Sequence, residues 1–263
     1  KVKILCLIHS KEINHEIGSS LNKRIIKSMS KADFIIANSN FTRDLAIKVG
    51  LNKDKIKVIF PGINIPKDLE DKSINIAKSH FGDSFPKIIT VARLDKRKGH
   101  DKILMAIKNL KIKFPKIKYI SIGSGEQEKE LLKLSKELKL EKEIIFLKNV
   151  DYNLKNALIA QANLFIMPSR IEKRSVEGFG ISFIEAASYQ VASIGGKDGG
   201  ESDAISHNRT GIICDGNDLG SIYNSVINFF ENNNYIKYGK NAKKHSEDFY
   251  WHKVIKKYLN LIN

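Results

Sequence analysis

The stretch "KIITVARLDKRKGHDKILMAIKNL", residues 87–110, combines a strand, a polar loop and a helix. Its first six residues have the length and the β-branched content of a buried strand. Its last part places apolar residues on one helical face, namely Ile103, Leu104, Ile107 and Leu110. A strand that leads into a helix is the unit from which parallel sheets are built, so this stretch predicts an α/β fold.

The same unit repeats through the rest of the chain. Further strands are predicted at 118–122, 143–147, 164–168 and 191–195, with amphipathic helices between them. Such alternation indicates a parallel sheet that helices cover on both faces. We therefore predict a complete Rossmann-like, doubly wound domain over residues 86–245.

The N-terminal part of the chain predicts a smaller unit. Residues 1–65 contain only about three short strands, fewer than an independent domain usually has. Residues 66–85 lose the periodicity and carry turn-forming residues, which predicts a linker. Because the chain opens inside a strand, we expect a truncated chain that has lost the first half of an N-terminal domain.

Composition excludes several classes of protein. No apolar run approaches the roughly 18–20 residues of a membrane-spanning helix. The two cysteines, Cys6 and Cys214, lie far apart without metal-site spacing, which indicates a reducing, cytoplasmic setting and no structural zinc. The histidines are scattered and no D-x-D triplet occurs, so no metal site is predicted.

The net charge of +16 raises the question of a polyanionic partner. The cations are mostly lysines spread along the chain, so we set a nucleic-acid partner aside in favour of solvated lysine faces. Contact with an anionic membrane surface stays open, because residues 1–65 carry 12 Lys and Arg against 5 Asp and Glu. A location at the inner face of the membrane would follow from such contact.

Ligands of open α/β sheets bind at the carboxyl ends of the strands, where this chain has unusual loops. "ARLDKRKG", residues 92–99, brings cations to the start of a helix, which suits a diphosphate, although a solvated basic loop fits equally well. Gly123 and Gly125 in "IGSGEQE" form a partial glycine motif that is often only a turn.

Two carboxylates flank a glycine loop in "VEGFGISFIEA", residues 176–186. Glu177 alone could be a solvated loop charge and Glu185 a helix-surface charge. Glu185 lies among apolar and small residues, however, and a buried unpaired carboxylate is costly, so we expect a ligand to satisfy it. Glycoside hydrolysis by this pair is rejected, because a phosphate-binding loop accompanies the two carboxylates.

The order and spacing of these pieces resemble the group 1 family of retaining glycosyltransferases with the GT-B fold. The pieces are Arg93 to Lys98, the glycines at 123 and 125, "MPS" at 167–169, the E-x(7)-E pair, and the glycine-rich turn before Glu201. The resemblance covers essentially the whole chain and implies a GT-B fold, with residues 246–263 forming a helix that crosses back to the N-terminal domain. It also implies that the family's N-terminal glycine-rich loop is missing, so this chain would be weakly active or inactive.

The resemblance implies a role for each site residue. A sugar nucleotide would lie with its diphosphate on Arg93 and Lys98, its ribose on Glu185, and its sugar on Glu177. The other implied contacts are the backbone of Gly178, Phe179 and Gly180 near the sugar and phosphate, the loop residues Gly123, Gly125 and Val150 near the nucleotide, and His9 near the donor sugar, where a structural role is equally expected. The two cations would take the place of a metal, so no metal or other cofactor is expected.

The implied function is transfer of a hexose from a nucleotide-diphosphate sugar to a glycan or lipid-linked acceptor, in polysaccharide or lipopolysaccharide synthesis. "EGFGISFIEA" is closer to the mannosyltransferases of this group, which favours GDP-mannose over a UDP-sugar. A non-catalytic nucleotide-binding domain and a GT-B sugar-nucleotide epimerase stay as alternatives.

Overall fold

The fold contains two parallel sheets, each flanked by helices, in a computed structural model that describes residues 2–263. The first sheet is formed by β1 (Leu5–Ile8), β2 (Phe34–Ala37) and β3 (Ile56–Val58), in the order β1-β2-β3. Helices α1 (Ser20–Met29) and α2 (Asn40–Lys48) pack their apolar sides on one face of it. Ser19 and Ser39 cap these helices by accepting hydrogen bonds from the backbone N–H groups of Asn22 and Thr42.

Helix α3 (Asp71–Phe81) occupies most of the stretch that the sequence predicts to be a linker. Its Ala77 and Phe81 are buried in the same apolar cluster as Ala157 and Leu158. The linker prediction is therefore wrong over these residues. Its buried face includes Ser73 as well as Ala77 and Phe81, and this small polar residue weakens the apolar periodicity that would have marked the helix.

The second sheet contains six parallel strands, and its α/β alternation confirms the predicted fold class. Its elements are β4 (Lys87–Val91), α4 (His100–Lys113), β5 (Lys118–Ile122), α5 (Glu128–Glu137), β6 (Ile144–Leu147), α6 (Tyr152–Gln161), β7 (Leu164–Met167), α7 (Ile181–Ser188), β8 (Ser193–Gly196), α8 (Glu201–Ala204), β9 (Gly211–Cys214), α9 (Leu219–Phe230) and α10 (Asn234–Ser246). The spatial order is β6-β5-β4-β7-β8-β9, with one large apolar cluster on each face.

The strand order changes direction between β4 and β7, which is the topological switch point of a doubly wound sheet. The loops that leave these two strands, 92–99 and 168–180, therefore lie side by side above the sheet. Gly99, with φ +77°, lets them touch, because a Cβ there would lie 2.6 Å from the carbonyl oxygen of Pro168. The fold thus brings the cationic loop and the first carboxylate to one place.

The last helix, α11 (Trp251–Ile262), packs on the first sheet, where Val254 contacts Ile36 and Ile59. The chain segments that join the two sheets run beside each other. The N–H of Ile63 donates to Phe249 O at 2.8 Å, and the N–H of Trp251 donates to Ile63 O at 3.0 Å. None of the helices formed by residues 2–263 has the length and hydropathy of a membrane span.

Three aromatic rings fill the space between the joining segments and the glycine loop. Phe179 lies 5.6 Å from Phe60 and 5.8 Å from Phe249, measured between ring centroids, and Phe60 lies 5.8 Å from Phe249. Phe179 and Phe249 are buried. The rings therefore hold the glycine loop against both of the segments that join the two sheets.

Replacing Phe249 by Ala should lower the free energy of unfolding by about 3–5 kcal/mol, because it leaves a cavity between all three segments. Denaturant unfolding measures this change. Ile112→Ala is the control, since Ile112 is 85% exposed and its loss should cost less than about 0.5 kcal/mol. Equal losses in the two variants would contradict the role given to the aromatic cluster.

Candidate functional site

The cleft between the two sheets contains two adjoining cavities. One, of about 140 Å³, is lined by Glu185, Tyr152 and Asn156. The other, of about 220 Å³, is lined by His9, Asn38 and Leu7 at the carboxyl end of the first sheet. Ile181, Trp251 and Gly62 line both cavities and form the wall between them.

Glu177 is held by two cations of the facing loop. Residues Lys96–Lys98 form one 3-10 turn, from which Arg97 Nη1 reaches Glu177 Oε2 at 2.9 Å and Lys98 Nζ contacts the same oxygen. The Glu177 side chain is only 12% exposed. Burial alone would raise the pKa of Glu177, but the charges of Lys98 and Arg97 outweigh it and keep the pKa below its ordinary value.

Arg93 does not share this contact. Its side chain is 74% exposed and its Nη2 lies 3.3 Å from Asp95 Oδ1. The sequence predicts Arg93 and Lys98 as a pair, whereas here Lys98 pairs with Arg97 around Glu177. Arg97 was one of four cations in the quoted loop, and sequence alone did not single it out, because only the 3-10 turn decides which of them point inward.

Glu185 has an ionic partner within the protein, whereas its sequence context predicts that a ligand satisfies this carboxylate. Its Oε1 lies 2.8 Å from Lys155 Nζ, and the Lys155 ammonium also lies 5.2 Å from the centroid of the Tyr152 ring. Glu185 is half-buried on the cavity wall. Lys155 lies on α6, thirty residues away along the chain, where no sequence pattern indicates the pairing.

The glycine loop packs against the first sheet unit. A Cβ on Gly178 would lie 2.6 Å from the carbonyl oxygen of His9 and 3.1 Å from Asn38 Nδ2. Gly180, with φ +86°, precedes the first residue of α7. Phe179 points into the aromatic cluster, so of this residue only the backbone can face a ligand. Glycine is thus required at 178 by contact between the two halves of the cleft.

Gly123 and Gly125, which are predicted to lie in a nucleotide-binding loop, pack directly against the backbone of the cationic loop. A Cβ on Gly123 would lie 2.0 Å from Ala92 O, and one on Gly125 would lie 2.6 Å from Leu94 O. Val150 is half-buried against the apolar cluster on that face of the sheet. These positions therefore have a packing reason for their residue types, whatever they bind.

His9 lies at the edge of the cleft with a carboxylate beside it. Its side chain is 60% exposed and its Nδ1 lies 3.6 Å from Glu12 Oε1. The hydrogen bond to Glu12 raises the pKa of His9, although partial burial opposes this. Its carbonyl oxygen faces Gly178, so His9 lies next to the loop that carries Glu177.

Glu201 is a buried carboxyl group that was not predicted as a site residue. Within residues 2–263 neither of its side-chain oxygens has a hydrogen-bond partner, and the buried Ser169 hydroxyl also lacks one. Burial raises the pKa of Glu201 to about 8, and the negative charge of Glu177 acts in the same direction. Burial and the negative charge of Glu177 therefore both favour the neutral, protonated form of Glu201.

The described residues contain no group of three or more His, Cys, Asp or Glu side chains that could hold a metal ion. The charged groups of the cleft are instead arranged in two opposite-charge sets, one around Glu177 and one around Glu185. Such sets can exchange their internal partners for the phosphates and hydroxyls of a ligand.

Glu201 should make stability fall as pH rises. The folded protein holds this proton up to about pH 8, whereas the unfolded chain releases it near the ordinary value of 4.5. Between these values the folded state binds more protons, so the free energy of unfolding falls with pH by at most about 1.4 kcal/mol per pH unit. Glu201→Gln lacks this group, so its stability relative to the unaltered chain should increase from pH 5 to pH 8 in denaturant titrations. A constant difference between the two proteins across that range would show that Glu201 titrates normally.

Comparison with known proteins gives several relatives that are named as glycosyltransferases. The chain is 24% identical to a GDP-mannose-dependent alpha-(1-6)-phosphatidylinositol monomannoside mannosyltransferase of Mycolicibacterium smegmatis, over 81% of this chain and 58% of that protein. It is 29% identical to an uncharacterized glycosyltransferase of Methanocaldococcus jannaschii, over 95% of this chain and 62% of that protein. The chain thus spans about three fifths of the length of these relatives.

Solved structures share the fold. The structure of Anabaena HepE in complex with UDP and glucose superposes with a TM-score of 0.85 at 19% identity, over 98% of this chain and 71% of that one. A glycosyltransferase from Rickettsia africae gives a TM-score of 0.81 at 21% identity, over 98% of this chain and 69% of that one. The GT-B fold implied by the sequence is confirmed by these structures.

Two family models match consecutive parts of the chain. Residues 1–67 match Glycosyltransferase Family 4, and residues 71–245 match Glycosyl transferases group 1. The second match covers the six-stranded sheet together with α3, and it includes the cationic loop and both carboxylates of the E-x(7)-E pair. The chain belongs to the group 1 family of glycosyltransferases.

Proposed function

We propose that this chain is the donor-binding part of a retaining glycosyltransferase that moves a hexose from a nucleotide-diphosphate sugar to a glycan or lipid-linked acceptor. The observation that carries the proposal is the cluster at the switch point, where Lys98 and Arg97 face Glu177 beside a cleft that also contains Glu185. Open α/β sheets bind ligands at this point. NMR of the product tests the retaining mechanism, because the product should have the same anomeric configuration as the donor sugar.

The diphosphate of the donor would lie at the cationic loop. Lys98 would contact the phosphates, and the exposed side chain of Arg93 would turn from Asp95 towards them. Their positive charge would offset the negative charge that develops on the leaving phosphate, which is the task that a metal performs in other enzymes. Metal independence is therefore part of the proposal, and EDTA tests it.

Glu185 and Glu177 would bind opposite ends of the donor, Glu185 the ribose and Glu177 the sugar. Lys155 occupies Oε1 of Glu185, which leaves Oε2 to accept hydrogen bonds from ribose hydroxyls. Glu177 would accept hydrogen bonds from the hydroxyls of the sugar, beside His9 and the backbone of the glycine loop. The larger cavity, at His9 and Asn38, would then take the acceptor.

The donor that we favour is GDP-mannose, with UDP-sugars as the alternative. The M. smegmatis relative is named as GDP-mannose-dependent, and HepE was solved with UDP and glucose. Relatives also include an enzyme of Campylobacter jejuni named for a diphospho-undecaprenol acceptor. These names support a glycan or lipid-linked acceptor, as in polysaccharide or lipopolysaccharide synthesis.

A membrane-bound acceptor would require the protein to approach a lipid surface. We propose that α1 makes this approach, because its outward side chains include exposed Lys23, Arg24 and Lys27. Anionic lipid attracts such a face with about 1 kcal/mol for each cation near the surface. The cytoplasmic leaflet is the anionic surface that we expect.

Calorimetric titration with UDP, GDP and ADP tests the donor site. The titrations are made first without metal and then with EDTA. One diphosphate should bind with unchanged affinity in EDTA. Glu185→Ala should weaken it about 10- to 100-fold, since hydrogen bonds to a charged acceptor are worth about 1.5–3 kcal/mol.

Glu137→Ala is the matched control, because Glu137 is an exposed carboxylate of α5 and its loss should leave affinity unchanged. Absence of binding to all three nucleotides would contradict the proposed function. Conversion of a nucleotide sugar by the chain alone, without an acceptor, would favour the epimerase.

The lipid contact is tested by sedimentation with vesicles. Vesicles with 30% phosphatidylserine should carry the chain down at low salt, and Lys23→Glu with Lys27→Glu should abolish this. Lys108→Glu with Lys113→Glu, on α4, changes the charge equally and should have little effect. Equal losses in the two double variants would mean that net charge alone, and not α1, governs the contact.

A further inference from the structure

Two cations around one carboxylate oxygen exceed what a single negative charge requires. Arg97 and Lys98 both contact Oε2 of Glu177. In the proposed function Lys98 also contacts the diphosphate. When the donor binds, the Lys98 ammonium must therefore neutralise both a phosphate and the Glu177 carboxylate. Glu177 is too deeply buried to exchange a lost counter-ion for water without a cost.

The turn that carries Arg97 is fixed to neighbouring parts of the second sheet unit. Its carbonyl oxygen accepts a hydrogen bond from the N–H of Arg170 at 2.8 Å, which ties the turn to the loop after β7. Arg170 is itself buried and its Nη2 lies 2.9 Å from Asp101 Oδ2 at the start of α4. Arg97 therefore stands on a turn that is fixed from both sides.

The third cation of the turn behaves differently. Lys96 is exposed and its Nζ lies 3.4 Å from Glu172 Oε1, outside the Glu177 cluster. The three consecutive cations Lys96, Arg97 and Lys98 are thus divided between two carboxylates. A guanidinium has several donors in a rigid plane, so Arg97 can orient a carboxylate where an ammonium supplies only a point charge.

Resting on the proposed function, we infer that Arg97 is a positioning residue for the donor sugar: it keeps Glu177 ionised and oriented towards the sugar hydroxyls while Lys98 engages the diphosphate. Arg97 then acts on recognition of the sugar and leaves recognition of the nucleoside diphosphate to Lys98 and Glu185. The sugar preference is the ratio of the Kd of the diphosphate to the Kd of the corresponding nucleotide sugar.

Calorimetric titrations with UDP, UDP-glucose, GDP and GDP-mannose at pH 5 to pH 8 test this role. Arg97→Met should reduce the sugar preference about tenfold, the loss expected for one charge-assisted contact. The loss should grow as pH falls, and it should begin at a higher pH than in the unaltered chain, because removing Arg97 raises the pKa of Glu177. Arg97→Lys should restore part of the preference.

Lys96→Met removes the same charge from the same turn and should leave the sugar preference unchanged. Equal weakening of diphosphate and nucleotide sugar by Arg97→Met would overturn the inference, since Arg97 would then bind the phosphates. An unchanged preference at every pH would overturn it too, and Arg97 would be a counter-ion only.

A failure of the proposed function gives a different result. In that case the unaltered chain binds none of the four compounds, and the inference falls with it. Thermal unfolding checks that each variant is folded; if Arg97→Met is not, the comparison of Arg97→Gln with Arg97→Lys supplies the same contrast.

Discussion

A carboxylate that is withdrawn from water stays charged only if counter-ions lie beside it, and in this protein that constraint falls on Glu177. Its counter-ions come from the loop after β4, while Glu177 itself comes from the loop after β7. The strand order places these loops next to each other, and Gly99 allows them to touch. The ion cluster is thus a direct consequence of the sheet topology.

The same loop also joins the two sheet units. Gly178 lies against the carbonyl of His9, and Gly200 lies so close to Gly178 that a Cβ on it would be 2.0 Å from Gly178 O. Asp203 adds a second link, since its carboxylate accepts hydrogen bonds from the N–H and the side-chain amide of Asn40, both at 2.6 Å. A carboxylate at the N-terminus of α2 is favourable for the helix dipole. One side of the cleft is therefore closed by backbone packing and by the contact of the Asp203 carboxylate with the N-terminus of α2.

The periodicity of the sequence was sufficient for the fold class, because buried strands and amphipathic helices alternate with little interruption. The family was indicated by the order and spacing of the loop motifs, which resemble those of group 1 glycosyltransferases. The periodicity was not sufficient for α3, whose inward face includes a serine. The partners of the carboxylates could not be predicted either. Lys155 on α6 and Glu185 on α7 come together because both helices pack into the same apolar cluster on the second sheet. Arg93 and Arg97 are separated by the turn that directs one outward and the other inward. The roles that the resemblance assigns to the site residues stay predictions, which measurements of ligand binding test.

Trp251 gives the cleft an optical property of its own. It is the single tryptophan of the chain, and its indole stands in the wall between the two cavities, close enough to Gly62 that a Cβ there would lie 2.5 Å from the ring. The tryptophan emission of the protein therefore arises from one position, and both cavities border it. A molecule that enters either cavity would change the polarity around the same chromophore, so its binding can be followed in real time without attaching a dye.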